Sequence, residues 1–173
     1  DFLDLKQGDT ALLCMPLDYI AGKMMVVRAL ERNMQLLSVD PSSHPLCKAS
    51  MTGIGEPPSI DFAAMVPLQV WNTLQVPEER EALCRIRHLI IGGGAISQAL
   101  EQELRTLPIN VWSSYGMTET LSHIALRRIT EDYYTPLPGI TLSQNQDGCL
   151  IIDAPHLCSE TLFTNDIAHF TDD

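Results

Sequence analysis

The sequence predicts an α/β protein: a mostly parallel sheet with flanking helices over residues 1–135, followed by the start of a β-rich subdomain over 136–173. Three observations carry this. Short apolar runs alternate with segments of helical spacing up to about residue 128, the pattern of strand–helix–strand units. After Pro136 and Pro138 the helical spacing gives way to strand-like runs separated by turn residues. The charge changes at the same place: residues 1–128 hold all 11 basic residues and 14 acids, whereas 129–173 hold 8 acids and no Lys or Arg. Such an acidic, strand-rich end expects a partner.

Each element has a local reason. Thr10 to Leu17 is an apolar run interrupted by Pro16 and reads as a buried strand. Ile20 to Arg32 is a helix, with Met24, Val27 and Leu30 recurring three residues apart. Met34 to Val39 is the next strand, closed by Asp40-Pro41. The polar, Pro- and Gly-containing stretch from Ser42 to Ser59 is a loop. Phe62 to Val66 is strand-like, and Pro67 opens a helix over Leu68 to Gln75. Ile86 to Ile91 is a strand that runs into Gly92-Gly93-Gly94, after which Ser97 is placed to cap a helix through Leu107. Ile109 to Ser113 is a strand, Thr118 to Arg128 reads as helical, and Gly148 to Ala154 and Thr161 to Phe170 read as strands.

Composition excludes several functions. The 173 residues carry 45% apolar and 19% charged side chains, an ordinary globular balance. A net charge of −11 opposes binding to a phosphate backbone, so no nucleic acid is expected as a partner. No apolar run is long enough for a membrane span, and no signal peptide is recognisable. Cys14, Cys47, Cys84, Cys149 and Cys158 lie far apart without C-x-x-C spacing, which reads as reduced thiols in a cytoplasmic protein. The five histidines are equally scattered, so a metal cage is not expected.

Familiar catalytic signatures are missing: there is no G-x-S-x-G, no H-E-x-x-H, and Gly22-Lys23 is not a Walker A site. The segment with chemistry is Ser114 to Thr120, SYGMTET. Tyr115 offers a flat face to a base, Gly116 allows close backbone approach, Thr118 can hydrogen-bond a phosphate oxygen, and Glu119 is a hard ligand suited to Mg2+. The same residues equally fit a capped helix start, with Thr118 as N-cap and Glu119 using the helix dipole. The glycine turn at 92–94 likewise fits either a tight turn or a nucleotide contact.

Tyr115-Gly116-Met117-Thr118-Glu119 resembles the Y-G-x-T-E motif of adenylate-forming enzymes, the acyl-CoA synthetase and luciferase superfamily. Leu89 to Ser97 is similar to that family's strand-G-G-A-x-x-S turn. Thr164-Asn165-Asp166 resembles its T-G-D motif, Gly148-Cys149-Leu150 the strand before it, Met15 to Arg28 its P-L-x-H-x-x-G segment, and Phe62 to Leu74 its V-P segment before a helix. The family joins a carboxylic acid to ATP as an acyl-adenylate and passes the acyl group to coenzyme A. The resemblance implies that Gly93, Gly94 and Ala95 line one face of the adenine and Tyr115 and Gly116 the other. It implies Thr118 at the α-phosphate, Glu119 on Mg2+ and Asp166 on the ribose hydroxyls.

Three departures accompany the resemblance. The Ser/Thr/Gly-rich phosphate loop, the ribose-binding Arg and the C-terminal domain with its adenylation Lys do not fall within residues 1–173. The chain therefore reads as the middle of a larger ligase that is inactive by itself and has that C-terminal domain as its partner. Within the family, the spacing of Ala21-Gly22 and Arg28 resembles the branch that activates o-succinylbenzoate for menaquinone synthesis. Seven helical residues turn through about 700°, so Ala21 and Arg28 share a face. The resemblance also puts Ser122 and His123 on the acyl pocket. Alternatives stay open: Arg28 as a solvated helix charge, a fatty-acid or aryl-acid ligase, an amino-acid activator using Asp61, or a non-catalytic nucleotide-binding module.

Overall fold

The computed structural model describes residues 3–48, 50–51 and 59–171. The elements run β1 (Thr10–Leu13), α1 (Ile20–Glu31), β2 (Gln35–Ser38), β3 (Ile60–Met65), α2 (Pro67–Gln75), α3 (Pro77–Leu83), β4 (Ile86–Ile91), α4 (Gln98–Leu104), β5 (Asn110–Gly116), β6 (His123–Arg128) and β7 (Thr135–Pro136). A sheet of seven strands has the order β2-β1-β3-β4-β5-β6-β7, with β1 to β5 parallel and β6 and β7 antiparallel at one edge. A second sheet, all antiparallel, holds β8 (Thr141–Gln144), β9 (Cys149–Asp153) and β10 (Leu162–Ile167) in the order β10-β9-β8. The α/β class and the strand-rich end match the expectation. The expected loop over 42–59 lies outside the described residues at 49 and 52–58.

Sequence patterning explains most of these elements. β3 and β4 are nearly continuous apolar runs because helices and loops cover both faces of a parallel sheet. Ser97 caps α4 as expected, its hydroxyl accepting from the Leu100 N–H at 3.2 Å. Leu100 and Leu104 then reach the main core. α1 forms where its spacing predicts, but it buries Gly22, Met25 and Ala29, while Val27 and Leu30 face outward. α3 was not expected. Its sequence is mostly charged, and the element is held by Pro at its first turn, buried Leu83, and buried Glu79, which accepts from His44 Nδ1 at 3.1 Å.

One expectation is overturned. Thr118 to Arg128 is not a helix: a single 3-10 turn over Thr118–Thr120 is followed by strand β6. Ile124 through Arg127 are all buried. Leu126 packs into the main core, while Ile124 packs with Leu150, Ile152 and Ala154 in a second core. A strand buried on both faces loses the alternation that marks a strand in sequence, and pairing with β5 overrides the local helical signal. That second core also takes in Tyr115 and Met117, so the small sheet is seated against the end of β5.

The connection from β1 leads outward to β2, while β3 lies on the other side of β1. The strand order thus reverses between β1 and β3. In open parallel sheets, a crevice forms at the carboxyl ends of the strands beside such a reversal.

Candidate functional site

A cavity of about 230 Å³ lies at that position. Its walls come from the ends of four parallel strands: Met15 after β1, Met65 at the end of β3 with Val66 after it, Gly92 and Gly93 after β4, and Ser114 and Gly116 of β5. Ile20, Ala21 and Arg28 of α1 form one side, and Met117, Thr118, Leu121, Ser122 and His123 close it. Buried Gln69 braces the rim. Its amide donates to Cys14 O at 3.0 Å and to Ser42 O at 2.9 Å, and its Oε1 accepts from the Val66 N–H at 3.2 Å. A larger cleft of about 690 Å³ shares Arg28, Ile90, Leu121, Ser122 and His123 with the first, so these residues are the partition between the two.

The partition is tightly made. Arg28 Nη2 donates to Ser122 Oγ and, at 3.2 Å, to His123 Nδ1. The Nδ1 atom therefore serves as acceptor, which leaves any proton of the neutral ring on Nε2. Burial, and then the neighbouring Arg28 charge, push His123 down to about 4, so the ring is neutral at pH 7. Burial also lowers Arg28 from its ordinary value. The guanidinium is met by Ser122, His123 and the Met25 sulfur at 3.9 Å, all neutral groups. A partly buried cation with neutral neighbours, facing a cavity, is arranged to receive an anion.

Two backbone features deliver Ser122 and His123 to Arg28. Leu121 has φ 59 and ψ −31, and the Ser122 N–H donates to Thr120 O at 2.6 Å, a γ-turn in a conformation that strains a leucine. Thr120 Oγ1 donates to Ser122 O at 2.8 Å and accepts from Met117 N at 3.0 Å, which pins the turn. Gly116 lies against this segment: a Cβ there would meet Ser122 O at 2.3 Å and His123 Cα at 2.6 Å. The glycine expected to let a ligand approach thus also lets the chain's own backbone approach. Leu121 was missed in the sequence, since a leucine carries no signal for positive φ.

The other side of the site is exposed. Gly93, Gly94, Ala95, Thr118, Glu119 and Asp166 all face solvent. Gly93 has φ +76, a conformation that favours glycine and turns the chain from β4 toward α4. The Tyr115 hydroxyl donates to Asp166 Oδ2 at 2.6 Å, joining β5 to β10. Burial, then the hydrogen bond and charge of Asp166, raise the phenol above its ordinary value. Tyr134 stands edge-on to Tyr115, with ring centres 6.5 Å apart. It is held by Ser113 Oγ at 2.5 Å and by the Arg127 guanidinium 5.5 Å from its ring centre. Arg127 is in turn paired with both oxygens of Glu101 at 3.1 Å.

The expected site residues are brought together in two groups. Gly93, Gly116, Thr118, Arg28, Ser122 and His123 line one cavity, and Tyr115 contacts Asp166. Gly94, Ala95 and Glu119 do not line it. Asp61 is engaged elsewhere: its Oδ2 accepts from the Thr10 N–H at 2.9 Å and its Oδ1 lies 3.5 Å from Arg87 Nε. Among the described residues no group of three or more His, Cys, Asp or Glu side chains forms a metal cage. A single exposed carboxylate on a turn fits a Mg2+ ion that arrives with a polyphosphate, since Mg2+ keeps waters and needs few protein ligands.

The chain belongs to the AMP-binding enzyme family, whose model matches residues 1–156. It is 25% identical over 131 residues to the 2-succinylbenzoate--CoA ligase of Bacillus mycoides (strain KBAB4), covering 76% of this chain and 26% of that protein. The chain therefore spans about a quarter of the length of the curated relatives it matches. An acyl-CoA synthetase (AMP-forming)/AMP-acid ligase II-like protein from Dyadobacter fermentans superposes with a TM-score of 0.87 at 34% identity, over 98% of this chain and 48% of that one. The O-succinylbenzoate coenzyme A synthetase of Bacillus subtilis, solved with ATP and a magnesium ion, shares the fold, with a TM-score of 0.73 at 21% identity, over 92% and 36% of the two chains.

Proposed function

We propose that this chain is the nucleotide- and acid-binding face of an ATP-dependent acid–CoA ligase whose acid is o-succinylbenzoate. The observation that carries the reading is Arg28, a partly buried guanidinium surrounded by neutral groups at the wall of an otherwise largely apolar cavity. The cavity stands at the carboxyl ends of the parallel strands. A dicarboxylic acid needs such a cation for the carboxylate that is not activated, because burying that charge unpaired is costly.

The roles then divide along the site. Tyr115 and Gly116 present a face to the adenine, opposite Gly93, Gly94 and Ala95, and Asp166 accepts from the ribose hydroxyls. Thr118 donates to the α-phosphate. Glu119 holds Mg2+, which when bound neutralises phosphate charge as two anions are brought together. Arg28, with Ser122 and His123, fixes the second carboxylate, so the first is oriented toward the α-phosphorus. A carboxylate oxygen bonds to that phosphorus and pyrophosphate leaves. The coenzyme A thiol sulfur then bonds to the acyl carbon and AMP leaves. The five free cysteines support a reducing, cytoplasmic setting.

The test is ATP–pyrophosphate exchange by the protein carrying this chain, with a panel of acids. The expected result is exchange dependent on o-succinylbenzoate, with the highest kcat/KM of the panel. A higher value for a fatty or simple aryl acid would move the substrate assignment, and no exchange with any acid would remove the ligase reading.

A further inference from the structure

Asp166 is poorly fixed by its own strand. β10 pairs with β9 through Leu162↔Ile152 and Phe163↔Ile151, then resumes at Ile167↔Cys149 with a shift of register. Asn165 and Asp166 fall within that irregularity, where the ladder does not set their direction. What holds Asp166 is local. Its N–H donates to Thr164 Oγ1 at 3.1 Å, and Thr164 Oγ1 donates to Leu150 O at 2.9 Å. The backbone is thereby anchored, and among the described residues the exposed carboxylate is held by the Tyr115 hydroxyl at 2.6 Å.

We propose that the Tyr115 hydroxyl is a positioning group for ribose recognition: it clamps Asp166 Oδ2 and leaves Oδ1 aimed outward to accept from a ribose hydroxyl. The proposal rests on the reading that Asp166 meets the ribose. The aromatic ring of Tyr115 and its hydroxyl then do different work, the ring against the base and the hydroxyl on the carboxylate. The geometry suits this division. Tyr115 is steadied by Tyr134, which is itself tied to Ser113 and Arg127. The phenol remains a donor over the working pH range, because burial and the Asp166 charge both oppose its ionisation. A carboxylate with one oxygen occupied still has lone pairs for a diol, now in a fixed direction. An exposed carboxylate without the clamp must lose its side-chain freedom when the nucleotide arrives.

The experiment compares kcat/KM for ATP, 2′-deoxyATP and 3′-deoxyATP in the wild-type protein, Tyr115→Phe and Asp166→Asn. Phe keeps the ring. The wild type is expected to prefer ATP over at least one deoxy analogue by about tenfold or more, as loss of a charge-assisted hydrogen bond requires. Asp166→Asn is expected to abolish most of that preference. Tyr115→Phe is expected to reduce it by about fivefold to tenfold, through a higher KM for ATP with the deoxy analogues little changed. A fall in base stacking or folding lowers all three nucleotides alike and leaves the ratios intact, and that result overturns the clamp. If Asp166→Asn loses the preference and Tyr115→Phe keeps it, the ribose reading stands and the clamp is wrong. A wild type indifferent to both hydroxyls, or an Asp166→Asn variant unchanged, removes the ribose reading and the clamp with it.

Discussion

Arg28, Ser122 and His123 meet inside the cavity wall, whereas Thr118, Glu119 and Asp166 are exposed, only Thr118 of them lining the cavity, and half-buried Tyr115 bonds to Asp166. The first group was assembled at a cost during folding: a guanidinium was desolvated, an imidazole was held neutral, and a leucine was forced to positive φ. The second group kept its charges in water, where they cost little and do little until a ligand excludes that water. The contrast implies two modes of recognition. Under the proposed function, the buried side would select an acid by charge through Arg28, and the exposed side would gain strength only with nucleotide, metal and acid in place.

The largest effect is expected on the exposed side, and only in catalysis. Glu119→Gln removes the charge proposed to hold Mg2+ and should slow ATP–pyrophosphate exchange by about 10²-fold. Thermal melting should move little, because Glu119 is exposed on a turn. Exchange at the wild-type rate would show that Glu119 is not the ligand.

The buried side should respond in stability. Gly116→Ala sets a methyl group against Ser122 O and His123 Cα, both backbone atoms that cannot swing aside. About 1–3 kcal/mol of stability should be lost in denaturant melts, as for other overpacked sites, with acid binding weakened as well. Retained stability and acid affinity would mean that β5 and the 121–123 turn can part without consequence.

A pH titration separates the two sides further. His123 binds a proton near 6.5 when unfolded but only near 4 when folded, so the unfolded state takes up the proton first. Stability should therefore fall as pH drops from about 6.5 to about 4, by about 1–3 kcal/mol in all, and be level in this respect above 6.5. His123→Gln should flatten that window. A wild-type stability independent of pH there would place the imidazole in water.

The smallest effect is expected at the γ-turn. Leu121→Gly relieves the strain at φ 59, but loses partial packing and loosens the unfolded chain. Melting should shift by no more than about 1 kcal/mol in either direction. The kcat/KM for the acid should fall further than that change in stability implies, because the turn directs Ser122 and His123. An unchanged kcat/KM would make the strain incidental.

How much of this was legible in sequence follows the same division. β1, β3 and β4 announced themselves as apolar runs, and Ser97 marked the start of α4, because burial and capping leave local traces. The Tyr115 to Glu119 segment could be recognised because its residue types are set by chemistry at fixed spacing. What failed was whatever depends on distant neighbours. β6 read as helix because both its faces are buried, and α1 buries a different face from that suggested by Met24, Val27 and Leu30. The Tyr134 support, the Tyr115–Asp166 bond and the left-handed Leu121 carry no sequence signature, since each arises only when β5, β6 and β10 are brought together.

The central claim is that the buried side recognises a carboxylate through Arg28, and it is tested most directly by replacing that residue. Arg28→Leu keeps the apolar stem and removes the charge. In the protein carrying this chain, kcat/KM should be measured for o-succinylbenzoate and for the analogue that lacks the carboxylate not activated. The dicarboxylic acid should lose about 2 kcal/mol or more of transition-state stabilisation, about thirtyfold in kcat/KM, and the monocarboxylic analogue much less. Equal losses for the two acids would make Arg28 a structural residue, and no loss for either would show that it serves neither acid.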